Sequence, residues 1–157
     1  MSDIAEVLEF WFGAPDSPER GRPRKCWFKQ SVSFDGAVRS RFLGVYERAA
    51  ARDFSHWERT PLAALALAIV LDQFPRNMFR GLARAFAADA LALRVARNIV
   101  DHGFDVPLRP VERWFAYLPF EHAEDIAAQR RSLALFGGLA GDADGPGAID
   151  YAHRHYG

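Results

Sequence analysis

Carboxylates, arginines and one histidine recur in this chain at positions where a helical pattern calls for apolar side chains. Residues of these types in one place could bind an anion or move a proton. Burying a charge without a partner costs several kcal/mol, so a polar residue on an apolar face marks either an ion-pair network or a site. At about 100° per residue, Asp89 falls among Leu82, Phe86, Leu93, Ala96 and Val100. By the same arithmetic His122, Asp125 and Gln129 fall on or beside a stripe of Ile126, Leu133 and Phe136. Asp72 closes the most apolar stretch of the chain. There, at a helix C-terminus, the macrodipole disfavours a carboxylate by up to about 1 kcal/mol. The nearest offsetting charges are Arg76 and Arg80, whose guanidinium forks grip carboxylates bidentately, and Asn77 can cap or bridge. The expected arrangement is one internal network. Asp72, Gln73, Asp89, His122, Asp125 and Gln129 face inward, with Arg76, Asn77 and Arg80 around them.

Three functions fit that network. The first is a helical binding module in which Arg76, Asn77, Arg80, Gln73, Glu121 and Gln129 contact a small anionic molecule or a peptide. The second is an enzyme using His122 as general acid or base on a small anionic substrate, with Asp125, Asp72 or Asp89 orienting it. The third is a structural or assembly role in which the network only fixes helix packing. Glu121, Glu124 and Asp125 also suit the first turn of a helix on dipole grounds alone.

Other chemistries lack their residues. The five histidines match neither His-Glu-x-x-His nor Glu-x-x-His spacing, and His153 and His155 would point about 200° apart on a helix, so no metal site is expected. Cys26 is the single cysteine, which excludes an intrachain disulfide and multi-cysteine zinc, and beside Trp27 it reads as a packed residue in a reducing compartment. There is no Gly-x-Ser-x-Gly elbow, and Gly137-Gly138 and Gly141 to Gly147 follow no strand, so neither a serine nucleophile nor a phosphate loop is expected. No cofactor is implied. Twenty basic and twenty acidic side chains cancel, so no long-range field favours nucleic acid or an acidic membrane. The apolar run Leu62 to Leu71 falls well short of the roughly 20 residues that span a bilayer. The start Met1-Ser2-Asp3 lacks a basic segment and apolar core, so cytoplasmic residence is expected. No pattern specifies an oligomeric state.

The elements that must position these residues are helices. The chain of 157 residues, half apolar and a quarter charged, suits a single domain over 1–157 that buries roughly two thirds of its unfolded surface. Asp3 and Glu6 stand at capping-box spacing before Ile4, Val7, Leu8 and Trp11, and Gly13 and Pro15 end that helix. Residues 13–26 read as a linker anchored by Trp27-Phe28. Ser33 is placed to cap a second helix through Phe34, Val38, Phe42, Val45 and Ala49. Thr60-Pro61 opens a central buried helix that ends at Asp72 to Pro75, followed by a polar connection through Arg80 and Gly81. A long helix is expected from about Leu82 to His102, and a short helical turn from Pro110. Pro119 is read as separating that turn from a last helix, His122 to Phe136, closed by Gly137-Gly138. Gly141 to Gly147 reads as a loop and Ala148 to Tyr156 as a helix cut short by the chain end. No period-two alternation calls for a sheet, so the fold class is all-α, with antiparallel helical hairpins. No repeat of about 34 residues is evident.

The blocks Val7-Leu8-Glu9-Phe10-Trp11-Phe12-Gly13, Leu71-Asp72-Gln73-Phe74-Pro75-Arg76-Asn77 and Phe79-Arg80-Gly81 stand in order along the chain. They continue through Ala85-Phe86, Asp89, Leu118-Pro119-Phe120-Glu121-His122, Glu124-Asp125 and Gln129. This set resembles the bacterial family termed domain of unknown function 924. The resemblance implies a tetratricopeptide-like all-helical fold and no established activity. It also implies a continuation beyond Tyr156-Gly157 into a second arginine-rich turn, before which this chain stops.

Overall fold

The computed structural model describes residues 2–139, and among them the chain forms helices and no strand. Helix α1 spans Asp3–Phe12. Its N-cap is Ser2, one residue before the expected Asp3, because the Ser2 hydroxyl accepts from the Ala5 N–H at 3.2 Å. Gly13, at φ +95°, ends the helix in a conformation that side chains disfavour. The linker then supplies donors to the end of α1. Arg24 Nη1 donates to the carbonyls of Phe10 (2.9 Å) and Trp11 (2.7 Å), Trp27 Nε1 donates to Trp11 (2.9 Å), and Arg20 Nη1 donates to Gly13 (2.9 Å). These are carbonyls that a helix C-terminus leaves without partners. The expected anchor is therefore both apolar and polar, since Trp27 also stacks near Trp11 and meets Phe115 edge to face at 4.8 Å.

Helix α2 spans Val32–Ala50, capped by Ser31 rather than Ser33. It buries Val38, Phe42, Tyr46 and Ala49. Helix α3, Pro61–Ala68, is the centre of the molecule, and every residue from Ala63 to Leu71 is at most 7% exposed. The expected stop at Pro75 does not occur. The helix widens into a π-helical turn, Ile69–Gln73, in which the Phe74 N–H reaches back five residues to the carbonyl of Ile69, and runs on as α4, Phe74–Met78. A proline interrupts an α-helix by its missing N–H and by a clash with the carbonyl four residues back, and the wider turn relieves both.

Further differences concern the second half. Residues Ala83–Phe86 form a 3₁₀ turn, and α5 starts only at Asp89, running to Asp101. Leu82 and Phe86 are accordingly exposed rather than part of an apolar stripe. Helix α6, Pro110–His122, passes straight through the buried Pro119, and the break falls later, at Ala123 to Asp125. Helix α7 spans Ile126–Leu139, past Gly137-Gly138. It turns Ala128, Ser132 and Leu139 inward; of the expected stripe, Ile126 and Leu133 are exposed, while Phe136 is half-buried with its ring against Trp114 and Tyr117. Small side chains let the helix approach α6 closely, and Ala128 joins Leu93, Ala96 and Phe120 in a satellite core. The expected loop at Gly141 to Gly147 and the expected helix from Ala148 lie outside the described residues.

Arg24→Ala removes two hydrogen bonds from the end of α1 and is expected to lower the unfolding free energy by about 1–2 kcal/mol in a urea titration. An unchanged midpoint would contradict this account of the linker.

Candidate functional site

Asp72 lies in the π-helical turn and points into the protein, with its carboxylate 1% exposed. Gln73 Nε2 donates to its Oδ2 at 2.8 Å, and His122 Nδ1 meets its Oδ1 at 2.8 Å. A carboxylate can only accept, so this contact is a hydrogen bond when the imidazole hydrogen is on Nδ1. Arg76 stands one turn further on. Its Nη1 donates to the Asp72 carbonyl at 2.6 Å and approaches the carboxylate at 3.4 Å. The same guanidinium grips Asp89 bidentately, Nη1 to Oδ1 at 2.9 Å and Nη2 to Oδ2 at 3.0 Å. Asp89 is the first residue of α5, where a carboxylate is favoured by the helix dipole. The exposed Phe86 ring lies 5.2 Å from the Arg76 guanidinium.

The cluster therefore unites Asp72, Gln73, Arg76, Asp89 and His122, drawn from the π-helical turn, α4, α5 and the last residue of α6. Arg76 and His122 line two clefts. One, of about 600 Å³, is bordered by Phe86, Asp89, Ala90, Leu93, Glu124 and Asp125. The other, of about 290 Å³, is walled by Trp27, Phe28, Trp114, Phe115 and Leu118, with Gln73 and Glu121. With Nδ1 turned to Asp72, the Nε2 edge of His122 is the one left for the clefts.

The remaining expected members lie elsewhere. Asn77 and Arg80 both serve Asp35, on the first turn of α2: Asn77 Nδ2 donates at 2.9 Å, and Arg80 donates through Nε at 2.7 Å and Nη2 at 3.1 Å. Asp35 escaped the sequence reading because a first-turn carboxylate is already explained by its helix. Burial alone would push the Asp35 carboxyl up, but the bonds from Arg80 and Asn77 and the Arg80 charge outweigh it and hold it below the usual carboxylate range. Asp125 precedes α7, accepts from the Ala127 N–H and pairs with Arg97 at 3.3 Å. Gln129 is exposed and donates to the Ala123 carbonyl, bracing the α6–α7 connection. Glu121 stays outside the network but lines the smaller cleft. Arg76 stands between two carboxylates and Arg80 is matched by Asp35, so neither guanidinium is left unpaired for the anion expected of them.

A third concavity, of about 530 Å³, lies at Arg20, Arg109 and the buried Glu112. Glu112 accepts from the Arg109 N–H at 2.8 Å, a cap of α6. Burial pushes the Cys26 thiol above its ordinary value against the opposing pull of Arg24, so it is not an activated nucleophile. Among the described residues no three His, Cys, Asp or Glu side chains converge to hold a metal ion, and no helix is long and apolar enough to cross a membrane.

The family model described as bacterial protein of unknown function (DUF924) matches residues 7–157. The chain belongs to this family. No curated protein matches it. The DUF924 chain is similar to the solved structure of a protein of unknown function, ATU0120 from Agrobacterium tumefaciens, at 36% identity. The match has a TM-score of 0.79 and covers 98% of this chain and 80% of that one.

Two outcomes follow for this DUF924 member. Arg76→Ala leaves Asp72 and Asp89 without their cation and is expected to cost about 2–4 kcal/mol, whereas Arg80→Ala, at a more exposed pair, is expected to cost about 1 kcal/mol or less. Equal losses in chemical denaturation would contradict the distinction. Because the Asp35 carboxyl is lowered in the folded state, its contribution is complete above about pH 4 and is lost as pH falls through the lowered value. Asp35→Asn should flatten that part of the stability–pH curve, and an unaltered curve would contradict it.

Proposed function

We propose that the Asp72–His122 pair serves a small molecule held in the adjoining clefts, with His122 as general acid and base. One observation carries this reading: Nδ1 is tied at 2.8 Å to a carboxylate that is 1% exposed, while the imidazole itself is 25% exposed and borders both clefts. An imidazole with its hydrogen on Nδ1 accepts a proton at Nε2, and Asp72 then stabilises the imidazolium and keeps the ring in place. Gln73 and Arg76 hold Asp72 as the acceptor. The supported chemistry is proton abstraction from a bound O–H or N–H group, or activation of a water. No serine, threonine or cysteine lines either cleft among the described residues, so the reading includes no covalent step. A binding module would use the same clefts without turnover. Cytoplasmic residence and a tetratricopeptide-like arrangement of the hairpins belong to this reading as well.

A second reading has its own observation. The Arg76 guanidinium joins the π-helical turn to α5, and His122 joins it to α6, so the cluster also fixes helix packing.

A thermal-unfolding panel of small metabolite-like molecules on the wild type and His122→Gln separates the two. Glutamine can keep a bond to Asp72 but cannot exchange a proton. The site reading expects at least one compound to raise the wild-type Tm by several degrees, an effect lost in His122→Gln while that variant's own Tm stays within about 2 °C. A fall of more than about 5 °C in the variant, with no compound acting on either protein, supports the structural reading instead.

A further inference from the structure

We infer that the smaller cleft binds a cation, an ammonium group on the molecule that His122 serves. This rests on the site reading above and adds the class of ligand. The walls are aromatic: Trp27 and Phe115 meet edge to face at 4.8 Å, with Phe28 and Trp114 beside them. Ring faces attract cations within about 6 Å through their quadrupoles. Glu121 lines the same cleft, is exposed, and takes part in no ion pair among the described residues. The one guanidinium bordering the cleft, Arg76, is spent between Asp72 and Asp89. The adjoining cleft adds Glu124 and Asp125, of which only Asp125 has an arginine partner, Arg97. Around both clefts the described carboxylates thus outnumber the guanidiniums, and the field favours a positive ligand over the anion that the sequence led us to expect. A volume of about 290 Å³ admits an ammonium head and a short alkyl chain. A phosphate or carboxylate there would meet Glu121 and lose its hydration to aromatic walls.

The test is a titration of the full chain at fixed ionic strength with choline, its neutral carbon isostere 3,3-dimethylbutan-1-ol, and acetate. Tryptophan emission and the amide resonances of Trp27, Trp114 and Glu121 are followed. Choline should bind saturably and about tenfold more tightly than the isostere, and Glu121→Gln or Trp114→Leu should each weaken it by about tenfold. The Glu121 carboxylate makes no hydrogen bond or ion pair among the described residues, so Glu121→Gln should leave the Tm unchanged. Equal affinity for choline and the isostere, binding of acetate instead, no saturable response to choline, or a Glu121→Gln variant that binds normally would overturn the assignment. The two readings fail separately. If His122-dependent stabilisation by other compounds persists while choline is ignored, the cation assignment alone falls. If choline binds as expected and no compound requires His122, proton transfer alone falls.

Discussion

The arrangement depends on one carboxylate, that of Asp72, being carried to near-complete burial at the end of the apolar run that begins in α3. A group so placed stands only if donors surround it, because desolvation of an unpaired ion costs several kcal/mol. Gln73, Arg76 and His122 are those donors. The π-helical turn is what brings them to it. By widening the helix ahead of Pro75, it lets the chain continue so that Arg76 follows Asp72 by four residues and still bonds to its carbonyl. Arg76 then draws in the first residue of α5, and Asp72 draws in the last residue of α6. Remove the carboxylate and the end of α6 loses its partner, while Arg76 still bonds to the Asp72 carbonyl and to Asp89.

The same bonds do two things. Arg76 is neutralised by Asp72 and Asp89, which makes it a brace between helices and leaves no net positive charge at the clefts. His122 is braced at one nitrogen and open at the other. A buried ion network that is complete on its inner side and offers one titratable edge outward is stable before any ligand arrives, which is the preorganisation that proton transfer requires. Asp35, with Asn77 and Arg80, performs only the bracing task, tying α2 to α4 away from the clefts.

Much of this was legible in the residues. Thr60-Pro61 opens α3, Gly13 closes α1, and Trp27 anchors the linker, as local chemistry requires. Asp72, Gln73, Arg76, Asp89 and His122 were expected together and are together. Asp89, however, reaches the cluster as the first residue of α5 and not from the middle of an apolar stripe. The errors share a physical cause. Periodicity treats a proline as a stop, yet Pro75 is accommodated by the π-helical turn and Pro119 lies within α6. It also ranks positions by hydrophobicity, whereas α7 buries Ala128 and Ser132, whose small size permits close approach, and exposes Ile126 and Leu133. Asp35 was invisible because its partners lie 42 and 45 residues away and its place on a helix start is sufficient by itself. The aromatic cleft was hidden for a related reason: Trp27 was read as an anchor of the linker, which it is, while the residues that line a cleft with it are brought there by tertiary structure.

The most direct test of the account is the tautomer of His122, read from the ¹⁵N shifts of its ring by NMR above the imidazole titration. The Asp72 contact predicts hydrogen on Nδ1, with a downfield, exchange-protected proton, and a bare Nε2; Asp72→Ala should abolish that proton. A neutral ring carrying its hydrogen on Nε2 would contradict the account, because Nδ1 would then have no hydrogen to donate to the carboxylate on which the site is built.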